Sequence, residues 1–394
     1  MPAPGLEPET SRTWVDVDLQ RIADNVGVLR SRLPATTGLL VPVKADAYGH
    51  GLVPVARELE AAGVWGLGIA ALDEAAVLRR AGIRARLMGL MPIQPAEAAR
   101  ALELDVIPAV SERPQAEALA AAARATGRTA TVHVEIDTGM GRCGVWNGES
   151  VAFVEALREL PGLEVEGMFT HFSSADEAER THTDLQLARF DAVLSALAER
   201  GFHPRQVHVA NSAAALRFRG ASRTLVRPGI AVYGSVEEIA ADPEDGGGGW
   251  VGAELAPALS WHARVVAVKR LPAGESVSYH RLYVARREER IALLAVGYGD
   301  GWPLGLSNRG HALIRGCWVP VRGAVCMDLT IVDATPFPDL RPGEVATLIG
   351  RQGPASRSVV DVAAESGLTS YAVFTGITAR VPRRYRKGDQ HVGG

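Results

Sequence analysis

The sequence predicts a (β/α)8 barrel followed by a smaller domain of β-strands. The chain has 394 residues, which is more than one typical hydrophobic core accommodates, so two domains are expected. From Leu39 to Tyr233, short apolar runs alternate with longer stretches of helical period, which is typical of a parallel sheet. Beyond Glu254 the predicted strands become short and closely spaced, as in an all-β domain.

A closed barrel is predicted because eight βα units follow one another. The candidate strands are residues 39–44, 64–70, 85–90, 105–110, 131–137, 165–171, 206–211 and 224–234. Two of the intervening helices have clear starts, at Asp73–Glu74 and at Pro95–Glu97, where acidic side chains favour the positive end of a helix. In such a barrel the functional groups lie just past the carboxyl ends of the strands.

The predicted domain boundary follows the eighth strand. Residues 237–252 combine acidic residues, Pro243 and four consecutive glycines, a composition typical of a mobile surface loop. We therefore expect a flexible tail at residues 1–11, the barrel at residues 12–250 and the β domain at residues 251–394. The predicted strands of the β domain include residues 259–271, 290–300, 311–316 and 345–351.

Composition favours a small-molecule ligand over a macromolecular one. The formal net charge is −3 and the 42 basic residues are scattered, so neither nucleic acid nor an anionic membrane is expected as a partner. The three cysteines, Cys143, Cys317 and Cys326, lack paired metal spacing, which argues against a disulfide scaffold or a thiolate zinc site. No signal-peptide pattern or membrane-spanning run occurs, so we expect a soluble, cytoplasmic protein.

Lys44 stands at the end of the first predicted strand, in the string VPVKADAYGHG. A lysine among apolar groups loses its proton more easily, as a Schiff-base lysine must. A solvated lysine at a strand end is the simpler alternative when Lys44 is considered alone.

Further polar groups follow the later strands and converge on the same face of the predicted barrel. These are Arg142 after the fifth strand, His171 at the end of the sixth, Ser212 after the seventh, and Arg227, Gly229 and Ile230 on the eighth. The loops after strands seven and eight commonly bind phosphate in barrels. Each residue alone has a simpler interpretation: Ser212 as a helix N-cap, and His171 and His208 as buried core histidines.

One strand also suggests a metal site. His133, Glu135 and Asp137 share a strand face by alternation, but their spacing is generic and polar lining near Arg142 explains them equally well. We expect no metal.

The ordered motifs resemble those of the alanine racemase family, which depends on pyridoxal phosphate (fold type III). The similarity runs from Trp14 to Tyr385 through VKADAYGHG, DTGMGR, THFSSAD, ANSAA, RPGIAVYG, VSY, GYGDG, CMD, IGRQG and ARVPRRY. It implies an N-terminal barrel with a C-terminal β domain, an amino-acid substrate, and a homodimer in which each active site uses both chains. The family supplies D-alanine, a peptidoglycan precursor; the sequence leaves open whether this chain serves that role or a specialised pathway.

The resemblance also implies residue roles. Lys44 and Tyr279 would be the two proton-transfer bases, with Tyr279 supplied across the dimer and His171 assisting, backed by Arg227 and His208. The implied cofactor residues are Lys44, Tyr48, Ser212, Arg227, Gly229, Ile230 and Tyr371. The implied substrate residues are Arg142, Met327 and Tyr298, with Glu135, His208 and Asp328 behind the site. Because a guanidinium practically never gives up its proton, Arg227 should leave the pyridine nitrogen unprotonated and so limit side reactions.

Four positions depart from the family pattern: Glu135, His280, Leu304 and Ala324. Glu135 stands where many members have a carbamylated lysine, so we expect its carboxylate to bond Arg142 at roughly 2.7 to 2.9 Å and its pKa to be lowered. Leu304 and Ala324 replace arginines that often line the entry, which predicts looser substrate selectivity.

Three alternatives remain open. The first is a racemase of the same fold that acts on serine or a broader set of amino acids. The second is a pyridoxal-phosphate lyase resembling D-threonine aldolase, which is disfavoured because convincing metal ligands are missing from the sequence. The third is a non-catalytic pyridoxal-phosphate carrier, which would need Lys44 but neither Tyr279 nor a second domain.

Overall fold

The computed structural model describes residues 11–236, 239, 251–388 and 390–392. The chain groups into two compact units. The barrel unit consists of the described parts of residues 22–47 and 52–256, and the second unit consists of the described parts of residues 1–21, 48–51 and 257–394. Most of the predicted tail at residues 1–11 and of the predicted loop at residues 237–252 lies outside the described residues.

The strands, in chain order, have the following bounds. They are β1 Thr13–Asp18, β2 Gly38–Pro42, β3 Gly66–Ile69, β4 Leu87–Pro92, β5 Val106–Val110, β6 Ala130–Asp137, β7 Val145–Trp146, β8 Leu163–Phe169, β9 Gln206–His208, β10 Leu225–Val226, β11 Leu259–Leu271, β12 Ser276–Val277, β13 Tyr283–Val284, β14 Glu289–Leu294, β15 His311–Ile314, β16 Cys317–Pro320, β17 Thr330–Asp333, β18 Val345–Gln352, β19 Ala355–Arg357, β20 Arg383–Lys387 and β21 Gln390–Val392.

The α-helices have the following bounds. They are α1 Leu19–Arg32, α2 Leu52–Ala61, α3 Leu72–Arg80, α4 Ala98–Glu103, α5 Arg113–Ala125, α6 Ser150–Arg158, α7 Thr181–Ala198, α8 Ser212–Arg217, α9 Val359–Ser366 and α10 Ser370–Gly376. Helix α3 and the turn Pro95–Glu97 before α4 begin where the acidic signals predicted. Among the described helices, none has the length and apolar character needed to cross a membrane.

Eight parallel strands close the barrel, which confirms the predicted fold. The order is β5-β4-β3-β2-β10-β9-β8-β6, and β5 pairs with β6 to complete the circle. The strands are buried on both faces, which is why they appear as apolar runs; all five residues of Val106–Val110 are buried, for example. One cluster of the barrel core combines Leu40, Met88, Ala109 and Phe169.

The eighth strand is much shorter than predicted. Residues 224–234 were expected to be one strand, but only Leu225–Val226 pairs with its neighbours. Pro228 has no N–H to donate, and the chain then turns, with the N–H of Val232 donating to the carbonyl of Gly229 at 3.0 Å. Gly229 and Ile230 therefore lie in a buried turn after the strand rather than on it.

The second unit is built on a mixed sheet with the order β16-β15-β18-β11-β1-β20-β21, to which β14, β17 and β19 are added. Strand β11 has the predicted bounds. The N-terminal strand Thr13–Asp18 was predicted within residues 12–250 of the barrel, but it pairs with β11 and β20 of this sheet. Val15 and Val17 of this strand are fully buried.

Candidate active site

Lys44 follows the first barrel strand and starts an unusual turn. The next residues, 45–48, all adopt left-handed backbone angles, with φ between 53 and 56 degrees. Each such L-residue costs roughly 1–2 kcal/mol, so the turn must be held by contacts. The carboxylate of Glu74 provides one: it accepts the N–H of Ala45 at 2.8 Å and that of Ala70 at 2.8 Å. The turn thus fixes the backbone directly after Lys44.

The surroundings of Lys44 favour its neutral amine. Burial lowers the pKa of Lys44, and the positive charges of Arg142 and Arg227 lower it further, while Glu74 raises it. An amine that is unprotonated more of the time is available at neutral pH both as a nucleophile and as a general base.

Arg227 is held inside the barrel by its two terminal nitrogens. Nη1 donates to Nδ1 of His208 at 2.7 Å and to its carbonyl at 3.0 Å. Nη2 donates to the carbonyl of Thr170 at 2.7 Å and to Nδ1 of His171 at 3.2 Å. Among the described residues, Nε has no acceptor, so this N–H is left for a bound group. Burial lowers the pKa of Arg227 to about 10, and the side chain remains charged at neutral pH.

His171 is a neutral imidazole with a defined tautomer. Burial, followed by the positive charges of Arg227, Arg142 and Lys44, lowers its pKa to about 3. Because Arg227 can only donate, Nδ1 of His171 is the acceptor and the proton lies on Nε2. The charges of Arg142 and Arg227 act on both Lys44 and His171. Four predicted residues of the barrel unit therefore lie within electrostatic reach of one another: Lys44, Arg142, His171 and Arg227.

Arg142 is presented by a loop that Asp137 organises. One carboxylate oxygen of Asp137 accepts the N–H groups of Gly139 at 2.9 Å and Met140 at 3.0 Å. Arg142 is exposed, and no carboxylate of the described chain pairs with it. A cation that lacks a carboxylate partner and lies on a fixed loop suits a carboxylate ligand. This role of Asp137 was not predicted, although an Asp followed by Thr-Gly is a recognisable turn signal.

The expected bond between Glu135 and Arg142 is wrong. In the part of the chain described, these two side chains form no ion pair, and Oε2 of Glu135 is buried without a hydrogen-bond partner. The pKa of Glu135 is raised rather than lowered, because its burial outweighs the attraction of Arg227 and Arg142. Glu135 therefore does not fix Arg142 through a direct bond.

Ser212 and the turn after β10 form an anion-binding surface. Asn211, rather than Ser212, caps helix α8 by accepting the N–H of Ala214, so the Ser212 hydroxyl is free of that task. It accepts the N–H of Ala231 at 3.2 Å. Within the described residues, the buried N–H groups of Gly229 and Ile230 have no protein acceptor. Unpaired donors in a buried turn suit a phosphate.

In the second unit, the predicted phosphate residues Tyr48 and Tyr371 are neighbours. Their ring centroids lie 5.9 Å apart. Burial raises the pKa of Tyr48 to about 12, so its hydroxyl keeps its proton. Tyr371 is exposed.

Tyr279 lies on a strained loop of the second unit. The flanking residues Ser278 and His280 have φ of 64 and 59 degrees, a conformation that favours glycine. The hydroxyl of Ser278 donates to the carbonyl of Ala324 at 2.8 Å and helps to hold the loop. The side chain of Tyr279 is 68% exposed. His280 is thus one departure with a structural cost, since glycine would adopt this conformation without strain.

Three more predicted residues lie on the adjoining loops. The carbonyl of Met327 accepts the N–H of Gly299 at 2.9 Å, which links the Met327 and Tyr298 segments. Asp328 accepts a hydrogen bond from Arg380 at 2.6 Å. Met327 and Tyr298 are both exposed.

Two family models match the chain in order. The alanine racemase N-terminal domain matches residues 17–237, and the alanine racemase C-terminal domain matches residues 258–385. Among curated relatives, alanine racemase of Symbiobacterium thermophilum is 41% identical over 95% of this chain and 97% of its own length. That of Halothermothrix orenii is 37% identical over 96% of this chain and 97% of its own length.

Solved structures of alanine racemases also superimpose on this chain. The crystal structure of alanine racemase from Bacillus anthracis superimposes with a TM-score of 0.88 at 38% identity, covering 99% of this chain and 98% of that one. Alanine racemase from a D-cycloserine-producing Streptomyces lavendulae gives 0.87 at 36% identity, covering 98% of both chains. The two family domains, the shared fold and the near-complete coverage together show that this chain belongs to the alanine racemase family.

Proposed function

We propose that this protein interconverts L-alanine and D-alanine with pyridoxal phosphate as its cofactor. The observation that carries the proposal is the barrel cluster in a chain of this family: an amine with a lowered pKa beside a buried guanidinium and a neutral histidine. A structural relative, the Bacillus anthracis alanine racemase, is known with bound L-Ala-P.

The residues present fit pyridoxal phosphate. The Lys44 amine would hold it covalently, and the free Nε–H of Arg227 would donate to its ring nitrogen. Ser212 and the unpaired N–H groups of Gly229 and Ile230 would bind its phosphate, together with the hydroxyls of Tyr48 and Tyr371. When bound, the cofactor withdraws electrons from Cα of the attached amino acid and makes the Cα proton acidic.

The remaining tasks fall to side chains that orient the substrate and move one proton. Arg142 would bind the substrate carboxylate together with the backbone of Met327, because a guanidinium matches that group. Lys44 and Tyr279 would exchange the proton from opposite faces of Cα, Tyr279 acting from the partner subunit. His171, neutral and protonated on Nε2, would assist the tyrosine.

The second copy of the chain is supported by an exposed apolar surface on the second unit. Tyr279, Leu282, Tyr298, Leu304 and Met327 are between 44% and 68% exposed. The Leu282 segment is tied to the 304–308 turn, because the Asn308 side chain donates to the Leu282 carbonyl at 3.2 Å. A second copy of the chain would cover these side chains. Cytoplasmic location and a role in D-alanine supply stay predictions.

The proposal is tested with purified protein supplied with pyridoxal phosphate. Circular dichroism of alanine is followed from pure L-alanine and, separately, from pure D-alanine. The signal should decay to zero from both directions, since the enantiomers are equally stable. A parallel series with L-serine tests the alternative of a racemase with a broader range of substrates. Exposed Leu304 supports this alternative, because many family members have an arginine at this position of the entry. A protein that binds the cofactor but leaves both alanine signals unchanged is not an alanine racemase.

A further inference from the structure

The barrel interior contains a row of polar side chains that continues beyond the proposed active site. His208 receives a hydrogen bond from Arg227 on Nδ1, and its Nε2 lies 2.8 Å from Nδ1 of His133. Nε2 of His133 in turn lies 3.2 Å from Oε2 of Glu166. Both histidines are fully buried and Glu166 is only 5% exposed. The row thus runs from Arg227 to a carboxylate at the other end.

Only one arrangement of protons satisfies every bond in this row. Arg227 has donors only, so Nδ1 of His208 must accept and a neutral His208 carries its proton on Nε2. That proton is donated to Nδ1 of His133, whose own proton then lies on Nε2 and is donated to Glu166. The carboxylate is the acceptor that closes the sequence.

The charges agree with this arrangement. Burial lowers the pKa of both His133 and His208, which keeps the two rings neutral. The hydrogen bond from His133 and the charge of Arg86 lower the pKa of Glu166 to about 2, despite its burial. Arg86 donates to both carboxylate oxygens, at 2.8 and 2.9 Å, and Arg205 lies 3.7 Å away. Glu166 is therefore ionised throughout the neutral range.

The packing around the rings leaves them no alternative position. Phe169 stacks on His208 with ring centroids 4.8 Å apart and nearly parallel planes. A Cβ added at Gly167 would come within 2.7 Å of the His133 ring, so glycine is required beside that ring. The protons of the two imidazole rings can therefore move between ring nitrogens, whereas the rings themselves are held by packing.

We propose that Glu166 is a positioning residue that fixes the tautomers of His133 and His208, and through them the orientation of Arg227 and His171. Without an ionised acceptor at this end, His133 can move its proton to Nδ1. Nε2 of His208 would then have to accept, its proton would lie on Nδ1, and that N–H would face the donating Nη1 of Arg227. The bond would be lost, and Arg227 would no longer be held for the cofactor and His171. The last step rests on the proposed function; the tautomers do not.

The test uses the full-length holoenzyme labelled with 15N-histidine. Nitrogen chemical shifts distinguish protonated from unprotonated ring nitrogens, and we expect Nε2–H on His133, His208 and His171. Nδ1–H on His133 or His208 in the unaltered protein would overturn the inference, whatever the variants do.

The variant is Glu166→Gln, because its amide nitrogen, in place of either carboxylate oxygen, would face the donating Nη2 of Arg86, and a neutral group would replace the ionised acceptor of His133. The matched control is Glu164→Gln, since Glu164 lies on the same strand and bonds Arg205 at 2.7 Å, but is exposed. We expect Glu166→Gln to alter the His133 and His208 tautomers and to lower kcat at least about tenfold with little change in KM, comparable to one lost charge-assisted hydrogen bond. Glu164→Gln should change neither.

The outcomes separate the two proposals. If the unaltered protein does not racemise alanine, the proposed function fails, while the tautomer pattern still tests the hydrogen-bond row. If it racemises alanine and Glu166→Gln keeps both the tautomers and kcat, Glu166 is not a positioning residue. If Glu166→Gln does not fold, the tautomers of the unaltered protein decide.

Discussion

Unfolding of this protein should take up markedly more protons at pH 5.5 than at pH 8. Four buried or half-buried histidines, His133, His171, His208 and His262, have pKa values lowered mainly by burial. Their pKa values are lower in the folded state than in the unfolded chain, where histidines titrate near ~6.5. The unfolded state therefore binds more protons as the pH falls below ~6.5, and stability is lost in that direction.

The size of the effect follows from these shifts. At pH 5.5 an unfolded histidine is about 0.9 protonated, whereas the folded His171, with a pKa of about 3, is not protonated. His171 and His208 alone should take up about two protons, and His133 and His262 raise the total to at most about four. The corresponding loss of unfolding free energy is about 2.5–5 kcal/mol per pH unit.

The assay is a pH-stat measurement of proton uptake when the protein is diluted into unbuffered urea. Lys44→Ala is measured in parallel, because the lowered pKa of Lys44 also leads to proton uptake on unfolding. Glu135→Gln is measured in parallel, because the raised pKa of Glu135 works in the opposite direction. His208→Asn should reduce the uptake by about one proton. A difference below one proton would refute the idea of neutral buried histidines.

Four further predictions concern the proposed site. Lys44→Ala should lose the visible absorption of covalently bound cofactor; a retained, borohydride-reducible chromophore would contradict this. Mixing inactive Lys44→Ala and Tyr279→Phe chains should restore activity in heterodimers with one intact site; activity that stays absent after proven subunit exchange argues against a shared site. Arg142→Gln should lower kcat/KM for alanine roughly ten- to hundredfold, the value of charge-assisted bonds to a carboxylate, and an unchanged ratio would remove Arg142 from the site. Leu304→Arg combined with Ala324→Arg should narrow the range of accepted amino acids; an unaltered range places selectivity elsewhere.

Strands with strong local signals were predictable from the sequence. Strand β11, Leu259–Leu271, has its predicted bounds because apolar residues alternate along it between two turns. The eighth barrel strand was overestimated because the apolar residues after Pro228 are buried in a turn, and burial alone does not distinguish a turn from a strand.

Long-range and backbone features were not predictable. The pairing of Thr13–Asp18 with a strand some 240 residues later has no local signal. The left-handed turn at residues 45–48 contains no glycine until Gly49, so nothing in its composition indicates it. Helices α9 and α10 were not predicted, because they are short and lie among strands. Their N-cap residues, Ser358 and Thr369, are local signals for them.

At the candidate site, too, local sequence signals were informative and details of packing were not. Strand ends correctly brought together Lys44, His171 and Arg227, because parallel strands deliver their carboxyl ends to one face. Alternation also placed Glu135 near Arg142 and Arg227, but it could not decide whether a bond forms. That outcome depends on burial and on distances of a few tenths of an ångström, which a sequence pattern does not contain.

In the proposed mechanism, two different bases move one proton at Cα of alanine. Its most direct test is proton NMR of L-alanine incubated with the holoenzyme in D2O, read during the first few per cent of conversion. The two-base mechanism predicts that newly formed D-alanine carries deuterium at Cα while the remaining L-alanine keeps its proton. The reason is that the base that donates a proton to Cα is not the base that removed the original one. D-alanine that retains the original proton, or deuterium entering L-alanine without any inversion, would contradict it.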